Sequence, residues 1–465
     1  MIPITLSQAV VDAGGTLADP ADLMVTGVVS DTRQIGDGDL FVAIAGDRVD
    51  GATLAGAAIK AGATGILTAD PDIAVDSGAP RNRIITVDDP LIALGSLARE
   101  SLRRARAANP SLKVVAVTGS VGKTTTKDLL ASLLAIRGPI IAPPGSFNNE
   151  LGLPLTVLRA GADTATLVLE MGADRIGNIT YLTSIAPPDV SVVLAVARAH
   201  LGEFGGIANV AKAKSELVTG TKPDGVVILN GNDERVRPMA DLTEANVFFF
   251  GAQGLPGPHA ESVRLDPLGH PMFTLVTPRG RAEVTLGLVG HHHVSNALAA
   301  AAVADSFGIG ADEIAQALAD SGPVSPHRMA VTEREGVLII DDSYNANPDS
   351  MRAGLNALES LGKNRRKIAV LGAMLELGEA SEAEHAAIGE YAHKSGVEVV
   401  VAVGEEMTPL VVAAQARGIE VYETGADTAL AVLSPIIAEG DVILFKGSNG
   451  SGVWRVADAL LGKES

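Results

Sequence analysis

A glycine-bearing turn between a strand and a helix is the part of the chain best suited to hold a phosphate. The segment VTGSVGKTTT contains Gly119, Ser120, Val121, Gly122, Lys123, Thr124 and Thr125. Backbone NH groups of such a turn can surround an anion at a helix N-terminus, the lysine can reach the outer phosphates, and the next threonine can bind magnesium. Val117 stands at the first glycine position of the strict motif, so the match is the shortened form G-x-x-G-K-T. The turn predicts binding of a nucleoside triphosphate.

Two further polar residues follow predicted strands. Glu170 ends the strand in LVLEMGA, and His200 comes after the strand in VLAVARAH. Ligands of open parallel sheets bind beyond the carboxyl ends of the strands, so we expect both side chains to face the phosphates held by the turn. A carboxylate and an imidazole at this edge favour a role as metal ligands.

One lysine is predicted to point into the protein. In the helix NVAKAKSELV, Lys214 shares a face with Val210, Leu217 and Val218, whereas Lys212, four residues before a glutamate, lies on another face. A free ammonium beside magnesium is repulsive, so Lys214 either extends to solvent or pairs with a carboxylate. The alternative is that carbon dioxide has added to its amine, which gives an anionic carbamate able to bind metal.

Composition limits the classes of function. A net charge of −19 and 3% aromatic residues argue against a nucleic-acid partner, because the phosphate backbone requires a basic surface. The absence of cysteine excludes disulfides, thiolate zinc sites and a cysteine nucleophile. The N-terminus lacks the pattern of a secretory signal, and no apolar run approaches the roughly 20 residues of a membrane span. We therefore expect a cytoplasmic monomer with no integral membrane segment.

The pattern of strands and helices predicts an α/β fold with three domains, because 465 residues exceed one hydrophobic core. Residues 1–110 form a small N-terminal α/β domain that ends after a helix at Pro90–Ala108. Residues 111–325 form a central P-loop domain with a parallel sheet (VVAVT, ATLVLE, VSVVLAV, GVVILN) and a small antiparallel annex at Asn246–Leu288. Residues 326–465 repeat the alternation and predict a doubly wound, Rossmann-like domain.

The motifs of all three predicted domains resemble those of the Mur ligases, ATP-dependent amide-forming enzymes of peptidoglycan precursor synthesis. The matching stretches are VTGSVGKTTTKD, SFNNELGLPLT, EMGA, AHLGEFGG, AKAKSEL, GHHHVSNALAA, HRM, DDSYNANPDSM, LGAMLELGE and LFKGS. They follow one another in the family order. DDSYNANPDSM stands where the members that add diaminopimelate or lysine show a motif like D-N-P-R. The chain therefore most resembles the members that add D-alanyl-D-alanine to UDP-N-acetylmuramoyl-tripeptide.

This resemblance implies an ATPase role for the central domain and two magnesium ions. ATP would lie on the phosphate turn, with Asn296 on adenine and Arg328 and Asp342 on the ribose and phosphates. One magnesium would be held by Thr124 and Glu170, and the other by His200 and a carbamylated Lys214. The resemblance implies that the catalytic residues are Lys123, Glu170, His200 and Lys214.

The resemblance also places the other two substrates. The N-terminal domain would bind the uridine diphosphate through Ser30, Asp31, Thr32 and Arg33. The muramoyl peptide would face Asn148 and Asn149. The C-terminal ligase domain would present Tyr344, Asn345, Asn347, Lys446 and Ser448 to the dipeptide. One departure is Ala52 in RVDGATL, where a histidine is usual after D-G, so the resemblance does not extend to that position on the uridine side.

Several alternatives remain open at this point. A related ligase, such as a folylpolyglutamate synthetase, shares the superfamily, and a phosphate turn also occurs in nucleotide switches without ligase activity. His291, His292 and His293 suggest a metal site, but consecutive residues at a helix start point in different directions, which favours loop packing. Asn347 before Pro348 is a good helix cap as well as a substrate candidate.

Overall fold

The computed structural model describes residues 1–19, 23–46, 49–143, 145–197 and 204–463, which contain three sheet-based units and a small annex. Each unit has a mainly parallel sheet with helices packed on it, which confirms the predicted α/β architecture with three domains. In the described ranges, no helix combines the length and the apolar composition that a membrane span requires.

The N-terminal unit has a four-stranded parallel sheet in the order β3-β4-β5-β6 and a short antiparallel pair, β1 with β2. Its strands are β1 (Ile4–Thr5), β2 (Met24–Val25), β3 (Gly27–Val29), β4 (Asp39–Val42), β5 (Gly65–Thr68) and β6 (Ile84–Thr86). Its helices are α1 (Leu6–Ala13), α2 (Ala55–Lys60), α3 (Pro71–Asp76) and α4 (Pro90–Ala108). Helix α4 has the predicted bounds because the Asp89 side chain caps its first turn and Pro90 occupies its first position.

The central unit has six parallel strands in the order β12-β11-β10-β7-β9-β8. The strands are β7 (Lys113–Thr118), β8 (Ile140–Ile141), β9 (Thr166–Glu170), β10 (Val190–Val193), β11 (Val226–Asn230) and β12 (Asn246–Phe250). The helices are α5 (Lys123–Leu134), α6 (Gly152–Val157), α7 (Asn178–Ile185), α8 (Ile207–Thr219), α9 (His293–Ser306) and α10 (Ala311–Asp320). One face of this sheet shares a continuous hydrophobic core with α4 and the N-terminal unit.

The annex is smaller than the sequence predicted. Its antiparallel strands are β13 (His259–Leu265), β14 (Pro271–Thr277) and β15 (Gly280–Thr285). The prediction was wrong for Asn246–Phe250, which pairs in parallel with β11 and belongs to the central sheet. The physical reason is that β12 lies at the sheet edge and is only partly buried. Its short sequence, NVFFF, does not show whether it pairs in parallel with β11 or with the antiparallel strands that follow.

The C-terminal unit has a six-stranded sheet in the order β16-β17-β21-β18-β19-β20. Its strands are β16 (Ala330–Arg334), β17 (Val337–Asp341), β18 (Lys367–Gly372), β19 (Val399–Val403), β20 (Glu420–Thr424) and β21 (Val442–Lys446). Its helices are α11 (Pro348–Leu361), α12 (Ser381–Lys394), α13 (Thr408–Gln415), α14 (Ala429–Leu433) and α15 (Val453–Leu461). The edge strand β16 is antiparallel to β17, whereas the other neighbours are parallel.

Asp189 joins the end of α4 to the central sheet. Its carboxylate accepts hydrogen bonds from Arg106 Nη2 at 2.9 Å, from Lys222 Nζ at 2.7 Å and from the backbone NH of Val114 at 2.7 Å. The Asp189 side chain is only 13% exposed. The end of α4, the start of β7 and the residue Lys222 therefore all depend on one largely buried anion.

Replacing Asp189 should loosen this part of the central unit. In Asp189→Ala two cations lose their partner at a largely buried position, so we expect a loss of about 3 kcal/mol in the free energy of opening of β7. Hydrogen exchange of the β7 amides measures this change. Asp72→Ala removes an exposed pair with Arg81 and should cost less than about 1 kcal/mol. Equal effects of the two substitutions would contradict the role given to Asp189.

Candidate active site

A cavity of about 750 Å³ lies between the central and C-terminal units. The central unit contributes the phosphate turn (119–125) and residues beyond the carboxyl ends of β9 and β10. The C-terminal unit contributes the chain that follows β17, β18 and β21. Every predicted site residue in the described ranges lines this cleft, except the four residues Ser30–Arg33. The carboxyl ends of two parallel sheets therefore face each other, as expected for ligand binding in open α/β sheets.

At two positions of the phosphate turn the backbone has a conformation that residues other than glycine rarely adopt. Gly119 has φ +151° and Gly122 has φ +83°. A Cβ atom on Gly119 would lie 2.9 Å from Leu194 Cβ, and one on Gly122 would lie 2.3 Å from Asn296 Oδ1. Lys123 Nζ donates to the Gly119 carbonyl oxygen at 2.8 Å and so folds back over the turn. These features fit a turn that brings backbone NH groups close to phosphate oxygens.

Glu170 is the centre of a buried polar network. Thr124 Oγ1 donates to Glu170 Oε2 at 2.9 Å, and Ser146 Oγ and Asn148 Nδ2 each donate to Oε1 at 2.8 Å. Glu170 is fully buried. The pKa of Lys123 is lowered, chiefly because of burial, while the negative charge of Glu170 opposes that shift. A hydroxyl and a carboxylate beside the phosphate turn form the hard oxygen set that Mg²⁺ prefers, so these residues fit that ion.

Arg328 connects the C-terminal unit with the phosphate turn. It lies in the linker (residues 321–329) between α10 and β16. Its Nη2 atom donates to Thr124 Oγ1 at 3.0 Å, and its guanidinium lies 4.0 Å from the centroid of the Tyr344 ring. His327, the residue before it, places Nδ1 2.8 Å from Asp341 Oδ2 and thereby ties the linker to the end of β17. The arginine is held from two sides at a position where it can contact a nucleotide phosphate.

The C-terminal wall is organised around a buried lysine. Lys446 is 2% exposed, and its Nζ atom donates to Asp342 Oδ2 at 2.5 Å and to the carbonyl oxygen of Asn345 at 3.2 Å. Asn347 caps α11, as predicted, by accepting from the backbone NH three residues later. Ser448 Oγ accepts a hydrogen bond from a backbone NH of the chain after β18. The predicted residues of this wall therefore share one hydrogen-bonded loop system.

Lys214 points into the cleft and is 3% exposed, as the helical pattern predicted. Burial, and to a lesser extent the positive charge of Lys123, lower its pKa to about 7. Its Nζ atom lies 6.0 Å from the centroid of the Phe204 ring. Lys212 is exposed on another face, while the Glu216 carboxylate accepts from the backbone NH groups at the start of α7. A substantial fraction of Lys214 is therefore uncharged near neutral pH.

Two groups of predicted residues are not brought into this arrangement. His200 lies outside the described residues. Ser30–Arg33 form a turn of the N-terminal unit that does not line the cleft. There, the Asp31 carboxylate pairs with Arg33, whose hydrogen bonds lower the pKa of Asp31 to about 2. Asn149 does line the cleft, where its side chain also accepts from the first NH groups of α6.

His292 and His293 line the cleft, and their ring centroids are 4.0 Å apart. Burial lowers the pKa of His292 to about 4 and the pKa of His293 well below its usual value. His293 Nδ1 is hydrogen-bonded to Asn296 Nδ2 at 3.1 Å, which fixes the ring against α9. Both rings are packed against their neighbours, and the packing role stays a prediction.

Sequence reasoning did not single out Ser146, Lys127 or His327. Lys127 is 2% exposed, and its position had a detectable signal, because Leu130 and Leu134 follow it at i+3 and i+7 on the buried face of α5. Ser146 had no such signal, since its role depends on where a loop meets the end of β9. His327 is identified only once β17 is placed beside the linker.

Comparison with known proteins identifies the family. The model called Mur ligase family, catalytic domain, matches residues 24–101. The Mur ligase middle domain matches residues 117–304, and the Mur ligase, glutamate ligase domain, matches residues 327–449.

Related proteins match along the whole chain. UDP-N-acetylmuramoyl-tripeptide–D-alanyl-D-alanine ligase of Mycobacterium tuberculosis is 43% identical, with 100% of this chain and 99% of the relative covered. A crystal structure of MurF from Acinetobacter baumannii has a TM-score of 0.86 at 30% identity, covering 99% of both chains. The structure of MurF ligase from Thermotoga maritima in complex with ADP has a TM-score of 0.77 at 31% identity, covering 93% of this chain and 96% of that one. The chain belongs to the Mur ligase family and is an ATP-dependent ligase that uses Mg²⁺.

The geometry of the phosphate turn can be tested at Gly122. Gly122→Ala places a methyl group against Asn296 and requires an unfavourable positive φ, so affinity for ADP should fall by about 100-fold or more. Isothermal titration calorimetry measures the affinity for ADP.

The matched control is Gly440→Ala. Gly440 has φ +93° with open space around the added Cβ. This substitution should cost about 1 kcal/mol of stability and leave ADP affinity unchanged. Normal ADP affinity in a folded Gly122→Ala protein would refute the position given to the phosphates.

Proposed function

We propose that this chain joins D-alanyl-D-alanine to UDP-N-acetylmuramoyl-tripeptide, with cleavage of ATP to ADP and phosphate. The observation that carries the proposal is the cleft in which Arg328 of the C-terminal unit contacts Thr124 of the phosphate turn. The full-length similarity to relatives of that name supports the choice of substrates. We further propose that the enzyme acts as a monomer in the cytoplasm.

The three domains would divide the substrates among them. Residues 1–110 would bind the UDP portion, with Ser30–Arg33 as contacts. Residues 111–325 would bind ATP, and residues 326–465 would bind the dipeptide. Asn148 and Asn149 lie on the side of the cleft nearest the N-terminal unit's α4, because the helix that Asn149 caps, α6, packs against α4. This arrangement suits a long substrate whose uridine end lies on one unit and whose peptide end enters the cleft.

In the first step, a terminal carboxylate oxygen of the tripeptide attacks the γ-phosphorus of ATP. The bond from that phosphorus to the bridging oxygen breaks, and ADP leaves with the electron pair. Lys123 and Arg328 would offset negative charge on the transferred group, since both side chains lie beside the phosphate turn. Asn296 would contact adenine and Asp342 the ribose. Bound magnesium would supply further charge neutralisation.

In the second step, the amine of D-alanyl-D-alanine attacks the carbonyl carbon of the acyl phosphate. The tetrahedral intermediate collapses with loss of inorganic phosphate, and the nitrogen loses a proton. The wall built from Tyr344, Asn345, Asn347, Lys446 and Ser448 would position the dipeptide. Positioning rather than covalent enzyme chemistry would provide most of the rate enhancement.

Phosphate release in the presence of ATP and Mg²⁺ tests this function. Both UDP-N-acetylmuramoyl-tripeptide and D-alanyl-D-alanine should be required, and mass spectrometry should show the UDP-linked pentapeptide. A folylpolyglutamate synthetase would instead require a folate and glutamate. Slow ATP hydrolysis that neither peptide partner stimulates would indicate a nucleotide switch and contradict the proposal.

We also propose that Lys214 carries a carbamate that binds a second magnesium together with His200. Thr124 and Glu170 would hold the first ion. An ammonium would repel a nearby ion, whereas a carbamate supplies an anionic oxygen. Lys214 is buried at the cleft wall, where a negative group would also relieve the repulsion from Lys123.

Substitution of the two helix lysines tests the carbamate. Lys214→Ala should lower kcat by more than about 100-fold, because even groups that only support a metal ligand are worth 10 to 100-fold. A short carboxylic acid in solution should restore part of the activity by occupying the vacated space. Lys212→Ala changes the exposed face of α8 and should keep normal turnover. Similar losses in both variants, or a bare amine at Lys214 in a structure with magnesium bound, would rule out the carbamate.

A further inference from the structure

Lys127 is a buried cation that the proposed reaction does not use. Its Nζ atom donates to the carbonyl oxygens of Pro143 at 2.7 Å and Gly145 at 3.1 Å, and lies 2.8 Å from Asp128 Oδ1. Three oxygen atoms thus meet the three N–H groups of the ammonium. A charge in a buried site is tolerated when it is paired and hydrogen-bonded in this way. The lysine holds two backbone carbonyls in one place.

Asp128 is itself fixed by the linker. Its Oδ2 atom accepts a hydrogen bond from Ser325 Oγ at 2.7 Å, so both carboxylate oxygens have partners. One turn earlier on α5, Thr124 accepts from Arg328 of the same linker. The orientation of Lys127 therefore depends on a carboxylate that the linker holds.

The carbonyls bound by Lys127 belong to the chain that leads to the Glu170 network. Ser146 directly follows Gly145, and both Ser146 and Asn148 donate to Glu170 Oε1. The backbone carbonyl of Asn148 accepts from Gly172 NH at 2.8 Å, which joins this segment to the chain after β9. If the Gly145 carbonyl were released, Ser146 would no longer be fixed. Glu170 would then lose donors that set the direction of its other oxygen toward Thr124.

We propose that Lys127 is a positioning residue for magnesium-nucleotide binding, acting through residues 145–148 on the orientation of Glu170. The inference rests on the proposed function in one respect, namely that Glu170 is a magnesium ligand. Groups that orient a metal ligand commonly change metal affinity by 10 to 100-fold when removed. The ammonium of Lys127 does not contact the phosphate turn. Replacing Lys127 should therefore weaken nucleotide binding in the presence of magnesium and leave nucleotide binding without magnesium unchanged.

The test compares ADP affinity with and without Mg²⁺ in Lys127→Met and in the wild-type protein. Without magnesium, we expect Lys127→Met to bind ADP as tightly as the wild-type protein. With magnesium, we expect its affinity for ADP to be about 10 to 100-fold lower than that of the wild-type protein. Hydrogen exchange of the ligand-free proteins should show faster exchange for amides of residues 145–153. Ser146→Ala should reduce the magnesium effect in the same direction while leaving the buried ammonium in place, so the proposal stays testable if Lys127→Met does not fold.

Lys222→Met is the matched control. Lys222 is also a partly buried lysine in an ion pair, with Asp189, but it lies outside the cleft. It should lower thermal stability without altering the magnesium effect. An equal loss of the magnesium effect in Lys222→Met would overturn the inference about Lys127 but not the proposed role of Glu170. An unchanged magnesium effect in folded Lys127→Met or Ser146→Ala would have the same consequence. A wild-type protein whose ADP affinity gains nothing from Mg²⁺ would overturn the proposed role of Glu170 and the inference with it.

Discussion

The hydroxyl group of Thr124 is the point on which the two walls of the cleft depend. It donates to Glu170 and accepts from Arg328, so a single oxygen joins the phosphate turn, the end of β9 and the linker. A hydroxyl can make both bonds at once because it has one donor and two acceptor sites. Its position after Lys123 at the start of α5 is therefore constrained by the nucleotide, by the carboxylate and by the C-terminal unit together.

Charge imposes the second constraint on this region. The chain carries a net charge of −19, yet ATP and the UDP-linked tripeptide are anions, so their binding requires cations concentrated in the cleft. Lys446 is neutralised by Asp342, and Lys127 by Asp128. These pairs hold loops in place, whereas Lys123 and Arg328 face the phosphate turn. The structure thus separates cations that organise the walls from cations placed to meet phosphate.

The sequence predicted those parts of the fold that local pattern determines. The bounds of α4 follow from a cap and a proline, and the strands of the parallel sheets follow from apolar runs buried on both faces. The edge strand β12 was misassigned because its short apolar sequence does not show whether it pairs with β11 or with the antiparallel strands that follow it. The edge strands β16 and β20 were not predicted for a related reason, since neither contains a buried residue. Local pattern cannot show which sheet an edge strand joins.

The residues of the candidate site likewise fall into those that local sequence pattern predicts and those that depend on tertiary contacts. Residues tied to a motif, such as Lys123 and Glu170, were predicted because a strand end or a helix start places them without knowledge of the tertiary fold. Lys127 and Ser146 were not, because their importance arises from contacts between segments that the sequence does not pair. Lys214 combines both cases: helical spacing predicted its burial, but no pattern of residue types records the addition of carbon dioxide to an amine. The structure sharpens that question on physical grounds, since burial and the positive charge of Lys123 both lower the pKa of Lys214 and so favour its uncharged amine.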